Sequence, residues 1–390
     1  MIGSRHADSI EELRGLEALE ILAEDYKLKY GALPFNLSHW DPSIEVSRFL
    51  SKYLKLPALP SPMHYIYSYY TGVHDKVAEK LGFEWKNHTC LLLHSGTSAI
   101  VLATWWAKAM GFEKLLIVCP TYFPVIYLAQ VMTMPFQLLF AQREAGNWAL
   151  PQEALSECIR GVKKTVVWIT NPIYCTGVYL SREDRQFLAS LLDAGVAIVA
   201  DECLSKSGYE ISRELGEKEN FVGLYTPHKS VCLNAIKFGA VVFNRKDEEF
   251  FDSWADVFTG GLSASNHSGI FHFLDKRNFY KFDMEFSNLI EDERKRVIEI
   301  IKSYKGSFEI DENCIGHFMT CYFPALPAQE ADDDDFVRDF VNETATLLIS
   351  GVKNHFNPDW GFCFRINLAR RSRQFYASLH RTLDYLAALA

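Results

Sequence analysis

The sequence has no CxxC pair and no histidine spaced from another ligand as metal sites require, so no metal site and no dithiol redox motif is expected. Its nine cysteines are scattered at positions 90, 119, 158, 175, 203, 232, 314, 321 and 363. That scatter reads as small buried hydrophobes in a reducing compartment. There is no P-loop and no GxGxxG, which removes the usual nucleotide signals. There is also no excess of positive charge: 40 Lys+Arg stand against 49 Asp+Glu, a net charge of -9. No general attraction to nucleic acid or to an anionic membrane follows from that balance. The opening residues Met1-Ile2-Gly3-Ser4-Arg5-His6-Ala7-Asp8 lack the apolar stretch of a signal peptide, and the protein is read as cytoplasmic. One long run, 115–142, carries no charge at all, but Pro120, Pro124 and Pro135 divide it. It reads as a buried strand, a loop and a core helix rather than a membrane span. The acidic run from Asp332 to Asp335 reads as the solvated start of a helix.

What the chain does have is an ordinary globular balance, 48% hydrophobic and 23% charged residues. At ~150 residues per domain, 390 residues leave room for two or three domains. Short apolar segments at 89–93, 115–118, 165–169, 196–200, 221–224 and 240–243 alternate with helical ones, the pattern of a mainly parallel α/β sheet. A helix is expected from Ser98 to Met110, stopped by Gly111, and another opening at Ser181 and stopping at Gly195. After Phe243 long charged helical stretches and apolar pieces near 318–323, 347–349 and 362–368 suggest a smaller α+β domain. The expected organisation is a helix and arm over 1–45 packing with the small domain, a large domain over 46–285 and the small domain over 286–390.

In open α/β sheets ligands bind beyond the carboxyl ends of the strands, and here those ends carry unusual residues. His94-Ser95-Gly96-Thr97-Ser98 places small hydroxyl residues and a glycine at a helix start, which suits an anion such as phosphate. A plain N-cap needs the same residues, so this loop alone decides nothing. Cys119-Pro120-Thr121-Tyr122 brings a ring to the same edge, for stacking on a flat ligand or for core packing. Asp201-Glu202 ends a very apolar strand, where a carboxylate needs a cationic or proton-donating partner. Thr226-Pro227-His228-Lys229 follows the next strand, and Lys237-Phe238-Gly239 leads into another. A lysine in a partly desolvated place is a nucleophile able to form a Schiff base. Phosphate loop, ring, acid and lysine at one sheet edge are together what pyridoxal phosphate needs.

In order and spacing the sequence resembles the fold-type I pyridoxal-phosphate enzymes, specifically the class I/II aminotransferases. Asn171-Pro172-Ile173-Tyr174-Cys175-Thr176-Gly177 is similar to the family's NPxNPTG, Asp201-Glu202 to its strand-end acid pair, and 226–229 to its SxSK. Lys237-Phe238-Gly239 stands where the family has R-x-G, and Ser350-Gly351 and Phe362 to Ala369 look like its later PG and FRxxxA elements. The resemblance implies a seven-stranded-type sheet with helices on both faces. It implies Lys229 as the Schiff-base lysine, Asp201 as partner of the pyridine nitrogen and Tyr122 as the stacking ring. Ser95, Gly96, Thr97, Thr226 and Lys237 would hold the phosphate, with Asn171 and Tyr174 at the cofactor's O3′ side. Arg365 would clamp the substrate carboxylate, with His39 and Trp40 over the substrate. Tyr67 would reach the phosphate of a neighbouring subunit, which implies a homodimer with shared sites.

The chain departs from the family in several places. Lys237 replaces an arginine, so a fork becomes a point charge. Tyr174 replaces the second asparagine and Leu204 a tyrosine with the same task, and the Tyr174 hydroxyl is expected to take over the O3′ contact. The implied activity is transamination between an amino acid and a 2-oxo acid. A pyridoxal-phosphate oxidase, lyase or cyclase of a biosynthetic pathway is the alternative, and a non-catalytic sensor on the same fold ranks below it.

Overall fold

The computed structural model describes residues 14–54, 77, 79, 87–144, 146–161, 164–226, 228–235, 237–264, 276–329 and 334–389. The large sheet is built from β1 (His88–Leu93), α1 (Gly96–Ala109), β2 (Lys114–Cys119), α2 (Pro124–Val131), β3 (Phe136–Phe140), β4 (Thr165–Thr170), α3 (Arg182–Asp193), β5 (Ala197–Glu202), β6 (Phe221–Tyr225) and β7 (Gly239–Asn244). Its seven strands run in the order β1-β7-β6-β5-β4-β2-β3. Only β7 is antiparallel to its neighbours, so every other strand ends at one edge and β7 begins there.

β4 is buried at all six residues, Thr-Val-Val-Trp-Ile-Thr, as a central strand covered on both faces must be. Its side chains alternate between two cores: Trp168 packs with α1 residues such as Ala103 and Trp106, while Val167 and Ile169 pack with Leu188 and Leu192 of α3. Burying each such large apolar side chain stabilises the fold by roughly 1.5–3 kcal/mol. α3 starts where the sequence reading put it, because Ser181 and Asp184 form a reciprocal capping box. Asp184 also accepts from the Leu150 N–H at 2.9 Å, which is why this acid is buried.

The uncharged run resolves into β2, a loop and α2, as expected, and then a further strand, β3. β3 is a short edge strand of mixed exposure, Phe-Gln-Leu-Leu-Phe, and lacks the buried pattern that marks its neighbours. Among the described residues no helix is long and apolar enough to cross a membrane.

The C-terminal part contains α4 (Lys276–Lys302), β8 (Phe318–Phe323), β9 (Phe362–Asn367) and α5 (Arg373–Ala387). β8 and β9 pair antiparallel, with Glu309–Ile310 added on the far side of β8. α4 runs unbroken across 285–286, so no loop separates the two parts at that point. The N-terminal arm joins this part: Phe35–Asn36 pairs with Thr346–Leu347, and Ser38 Oγ donates to the Arg365 carbonyl at 2.5 Å.

Candidate active site

At the sheet edge α1 begins with Ser95 in extended conformation, its Oγ accepting from the Ser98 N–H at 3.1 Å. The first free N–H groups of this 14-residue helix therefore face the edge, with the positive end of the helix dipole. Gly96 is required there. A β-carbon on it would stand 2.8 Å from Cys203 Sγ, 3.1 Å from Thr226 Cγ2 and 3.6 Å from Lys229 Nζ. Gly239, the first residue of β7, lies against the same loop, and a β-carbon on it would stand 2.5 Å from the Ser95 carbonyl oxygen. Residues 143 positions apart thus close one cradle.

Beside the cradle is a cavity of about 20 Å³, bounded by Lys229, Asp201, Tyr122, Tyr174 and Trp40. Lys229 opens a short 3-10 turn after β6, and its Nζ lies 5.5 Å from the Trp40 ring centroid and 5.6 Å from that of Tyr122. Tyr122 and Tyr174 face each other at 5.6 Å. Asp201 is the register partner of Thr170 near the ends of β5 and β4, and its Oδ1 accepts from the Cys203 N–H at 3.0 Å. Burial raises the Asp201 pKa, opposed by hydrogen bonds from Cys203 and by the charge of Lys229. Burial likewise pushes the Tyr122 phenol up against the pull of Lys229, and drives Tyr174 well above its ordinary value, so both rings keep their protons.

Several expected contacts fall differently. Asn171 turns away from the cavity: its amide donates to Glu202 at 3.2 Å and to the Tyr209 carbonyl at 2.9 Å, and its oxygen accepts from the Leu180 N–H at 3.2 Å. With that capacity committed, it ties the loop after β4 to Glu202 and is no cofactor ligand in this geometry. The Thr226 hydroxyl donates to the Cys203 carbonyl at 3.0 Å, so its proton is not aimed at a phosphate. His39 is exposed and folds onto Asp41, whose N–H donates to its Nδ1 at 3.0 Å, so it does not line the cavity. Thr97 and Lys237 are exposed, with the Lys237 charge felt at His228. Tyr67 lies outside the described residues.

Arg365 is buried, as a carboxylate clamp would be, but three of its five N–H donors are engaged. Nε and Nη2 donate to the Ser38 carbonyl at 3.1 and 2.5 Å, and Nη1 to Cys175 Sγ at 3.5 Å. The guanidinium also lies 4.4 Å from the Trp40 ring centroid and 4.6 Å from that of Phe318.

Sequence reasoning passed over Ile100 and Cys203 in the cavity wall, and Ser38 and Phe318 around Arg365. Cys203 carried a signal, since it follows the acid pair at the strand end. Ser38 acts through its main chain and carried none. Glu202, second of the acid pair, is structural: it accepts from Asn171, Ile211 and Ser212, and burial still holds its pKa up at about 7.

Residues 63–381 match the sequence profile of the family described as aminotransferase class I and II. The chain belongs to that family. This aminotransferase also has the fold of solved relatives, each at low identity. N-succinyldiaminopimelate aminotransferase from Mycobacterium tuberculosis is 15% identical with a TM-score of 0.72, covering 98% of this chain and 100% of its own. A double mutant of Thermus thermophilus aspartate aminotransferase is 11% identical with a TM-score of 0.75, covering 97% and 99%. Escherichia coli YbdL, with a methionine aminotransferase function, is 14% identical with a TM-score of 0.73, covering 97% and 98%. No curated protein sequence matches the chain.

The aminotransferase is a pyridoxal-phosphate-dependent transferase, and an oxidase, lyase, cyclase or sensor is not favoured. The residues fit that cofactor: a cradle at a helix N-terminus that a single β-carbon would fill, a reachable lysine amine, two rings, and a buried carboxylate disposed to a cationic partner.

Proposed function

We propose that this aminotransferase moves an amino group from an amino acid to a 2-oxo acid, with Lys229 as the amine that binds the cofactor and then moves a proton. The observation that carries this reading is the position of Lys229 Nζ, at the start of α1 and in one cavity with Asp201, Tyr122 and Tyr174. Pyridoxal phosphate, when bound, supplies the electron sink.

In this reading Asp201 keeps the pyridine nitrogen protonated, and its buried charge gains the cationic partner that burial calls for. Tyr122 stacks on the ring, the N–H groups at Gly96 and Thr97 with the Ser95 hydroxyl hold the phosphate, and Lys237 adds charge. The freed Lys229 amine acts at the substrate α-carbon as general base, a role that contributes roughly 10²–10⁴-fold. The two remaining N–H groups of Arg365 receive the carboxylate. The Tyr174 phenol, kept protonated by burial and hydrogen-bonded to Cys175, turns from that thiol to donate to the cofactor O3′ where Leu204 has no donor. A cofactor titration unchanged in Tyr174→Phe would remove that last assignment.

The functional unit is a homodimer in this proposal. Support comes from the phosphate end, where Thr97 and Lys237 are exposed in the single chain, leaving a side for Tyr67 of the partner subunit. Light scattering on the holoenzyme tests it. All nine cysteines are free and seven are buried, which supports work in a reducing, cytoplasmic setting. The division at 45 and 285 is retained as a reading, with α4 continuous across the second boundary.

The decisive experiment pairs two measurements. Borohydride reduction followed by peptide mapping should find the pyridoxyl group on Lys229. Product release from an amino donor should stop at one equivalent per site unless a 2-oxo acid is supplied. Continuous turnover with peroxide or ammonia release and no acceptor would reject transamination.

A further inference from the structure

Two cations lie over one indole. Lys229 Nζ is 5.5 Å and the Arg365 guanidinium 4.4 Å from the Trp40 ring. A substrate whose amino end meets Lys229 and whose carboxylate meets Arg365 must therefore pass along Trp40. The space beside it is narrow, and the indole that borders it also covers the Arg365 guanidinium, so a carboxylate that pairs with Arg365 meets this ring.

Trp40 is the wall residue built to yield. Asp201 sits on a sheet strand, and Tyr174 is buried in a turn whose N–H donates to Thr170 Oγ1 at 3.1 Å. Trp40 lies outside any helix or strand. Its carbonyl accepts from Asn234 at 3.0 Å and Asn367 at 3.4 Å, which pins the main chain. Its half-buried side chain is held by ring contacts: Phe318 at 5.1 Å and Tyr122 at 6.3 Å, both edge-on, and the two cations. Rotation of the indole breaks no hydrogen bond among these.

Of the partners of Arg365, the Ser38 carbonyl and Cys175 thiol engage three N–H groups, and the ring faces of Trp40 and Phe318 cover the cation. A carboxylate offers this cation a paired, charge-assisted contact that outweighs the loss of one ring face. An uncharged polar group offers no such exchange.

We propose that Trp40 is the specificity gate of this site, giving up its place over Arg365 only to a ligand carboxylate. The inference rests on the assignment of Lys229 and Arg365 made above. It makes Trp40 a specificity-determining residue, which selects for the carboxylate by requiring that it displace the ring.

The test titrates cofactor-loaded enzyme with 3-phenylpropionate, a carboxylate with a flat apolar tail suited to ring walls, and with 3-phenylpropan-1-ol as the uncharged control. Tryptophan emission should change saturably with the acid and not with the alcohol. That change should vanish in Trp40→Phe, although seven other tryptophans remain. Trp40→Ala should bind the acid about tenfold more tightly, because the closed gate no longer lowers the competent fraction. Its preference for acid over alcohol should narrow. The proposal is overturned if the acid gives no saturable change, if the change persists in Trp40→Phe, or if Trp40→Ala binds the acid no better. Mapping of the pyridoxyl group to Lys229 in each variant separates failure of the gate from failure of the active-site assignment.

Discussion

A β-carbon on Gly96 would stand 3.6 Å from the amine of Lys229, so the helix start that offers N–H groups to an anion and the nucleophilic nitrogen occupy one corner. Gly96→Ala should cost about 1–3 kcal/mol, the range for an added group in a packed place. Cofactor affinity should fall with it, because Cys203 must shift and Thr226 must give beside the helix start. Gly239→Ala should be worse, since the atom it meets at 2.5 Å is a main-chain carbonyl oxygen. Thermal unfolding with and without cofactor measures both, and equal stability of all three proteins would contradict the cradle.

Asp201 separates stability from activity. Its folded pKa lies above the unfolded one, so the folded state binds the proton more tightly, and the charged form costs stability once the pH exceeds both values. Asp201→Asn without cofactor should melt higher than the parent at pH 7, while transamination falls about 10²–10³-fold for lack of a charge at the pyridine nitrogen. A lower melting temperature would show that Asp201 is instead a structural anchor.

Asn171→Ala should behave in the opposite way. Loss of three buried hydrogen-bond partners should cost about 1–3 kcal/mol, the penalty for groups left unpaired, with cofactor affinity changed only slightly. A large loss of cofactor affinity at wild-type stability would return Asn171 to the cofactor.

Three imidazoles, His228 and His317 buried and His355 half-buried, predict acid sensitivity. Burial holds His228 and His317 down at about 3 and His355 at about 4, with the charges of Lys229 and Lys237 also pressing on His228. In the unfolded chain these groups titrate near 6.5, so below that pH the unfolded state binds more protons and stability falls as pH drops toward 4. Each group contributes a slope of at most ~1.4 kcal/mol per pH unit. His317→Asn should flatten the slope of stability between pH 6 and 4, measured by denaturant unfolding; an unchanged slope would mean that His317 takes up a proton in the native state.

Arg365→Lys should raise KM for carboxylate substrates by about 10–100-fold, the loss of a charge-assisted pair worth about 1.5–3 kcal/mol. Lysine cannot serve both the Ser38 carbonyl and a substrate carboxylate as the fork does. Kinetics on a pair of acid substrates of different length check it, and an unchanged KM would place the carboxylate elsewhere.

The central sheet strands were legible because they are buried on both faces, and a run such as 166–169 is apolar throughout between two threonines. Ser181 and Asp184 announced a helix because a capping box is local chemistry. β3 was illegible because an edge strand half open to solvent has neither a continuous apolar run nor strict alternation.

The fold class and the corner where Lys229, Asp201 and the helix start meet are legible in the order of residues, because strand ends, caps and turns are set by neighbours close in the chain. The direction in which buried polar side chains point depends on packing between distant segments. Asn171 turns to Glu202, 31 residues on, and Arg365 to the main chain of Ser38, 327 residues away. A buried polar group takes whichever partner the packing brings within about 3 Å, and that partner's distance along the chain leaves no local trace.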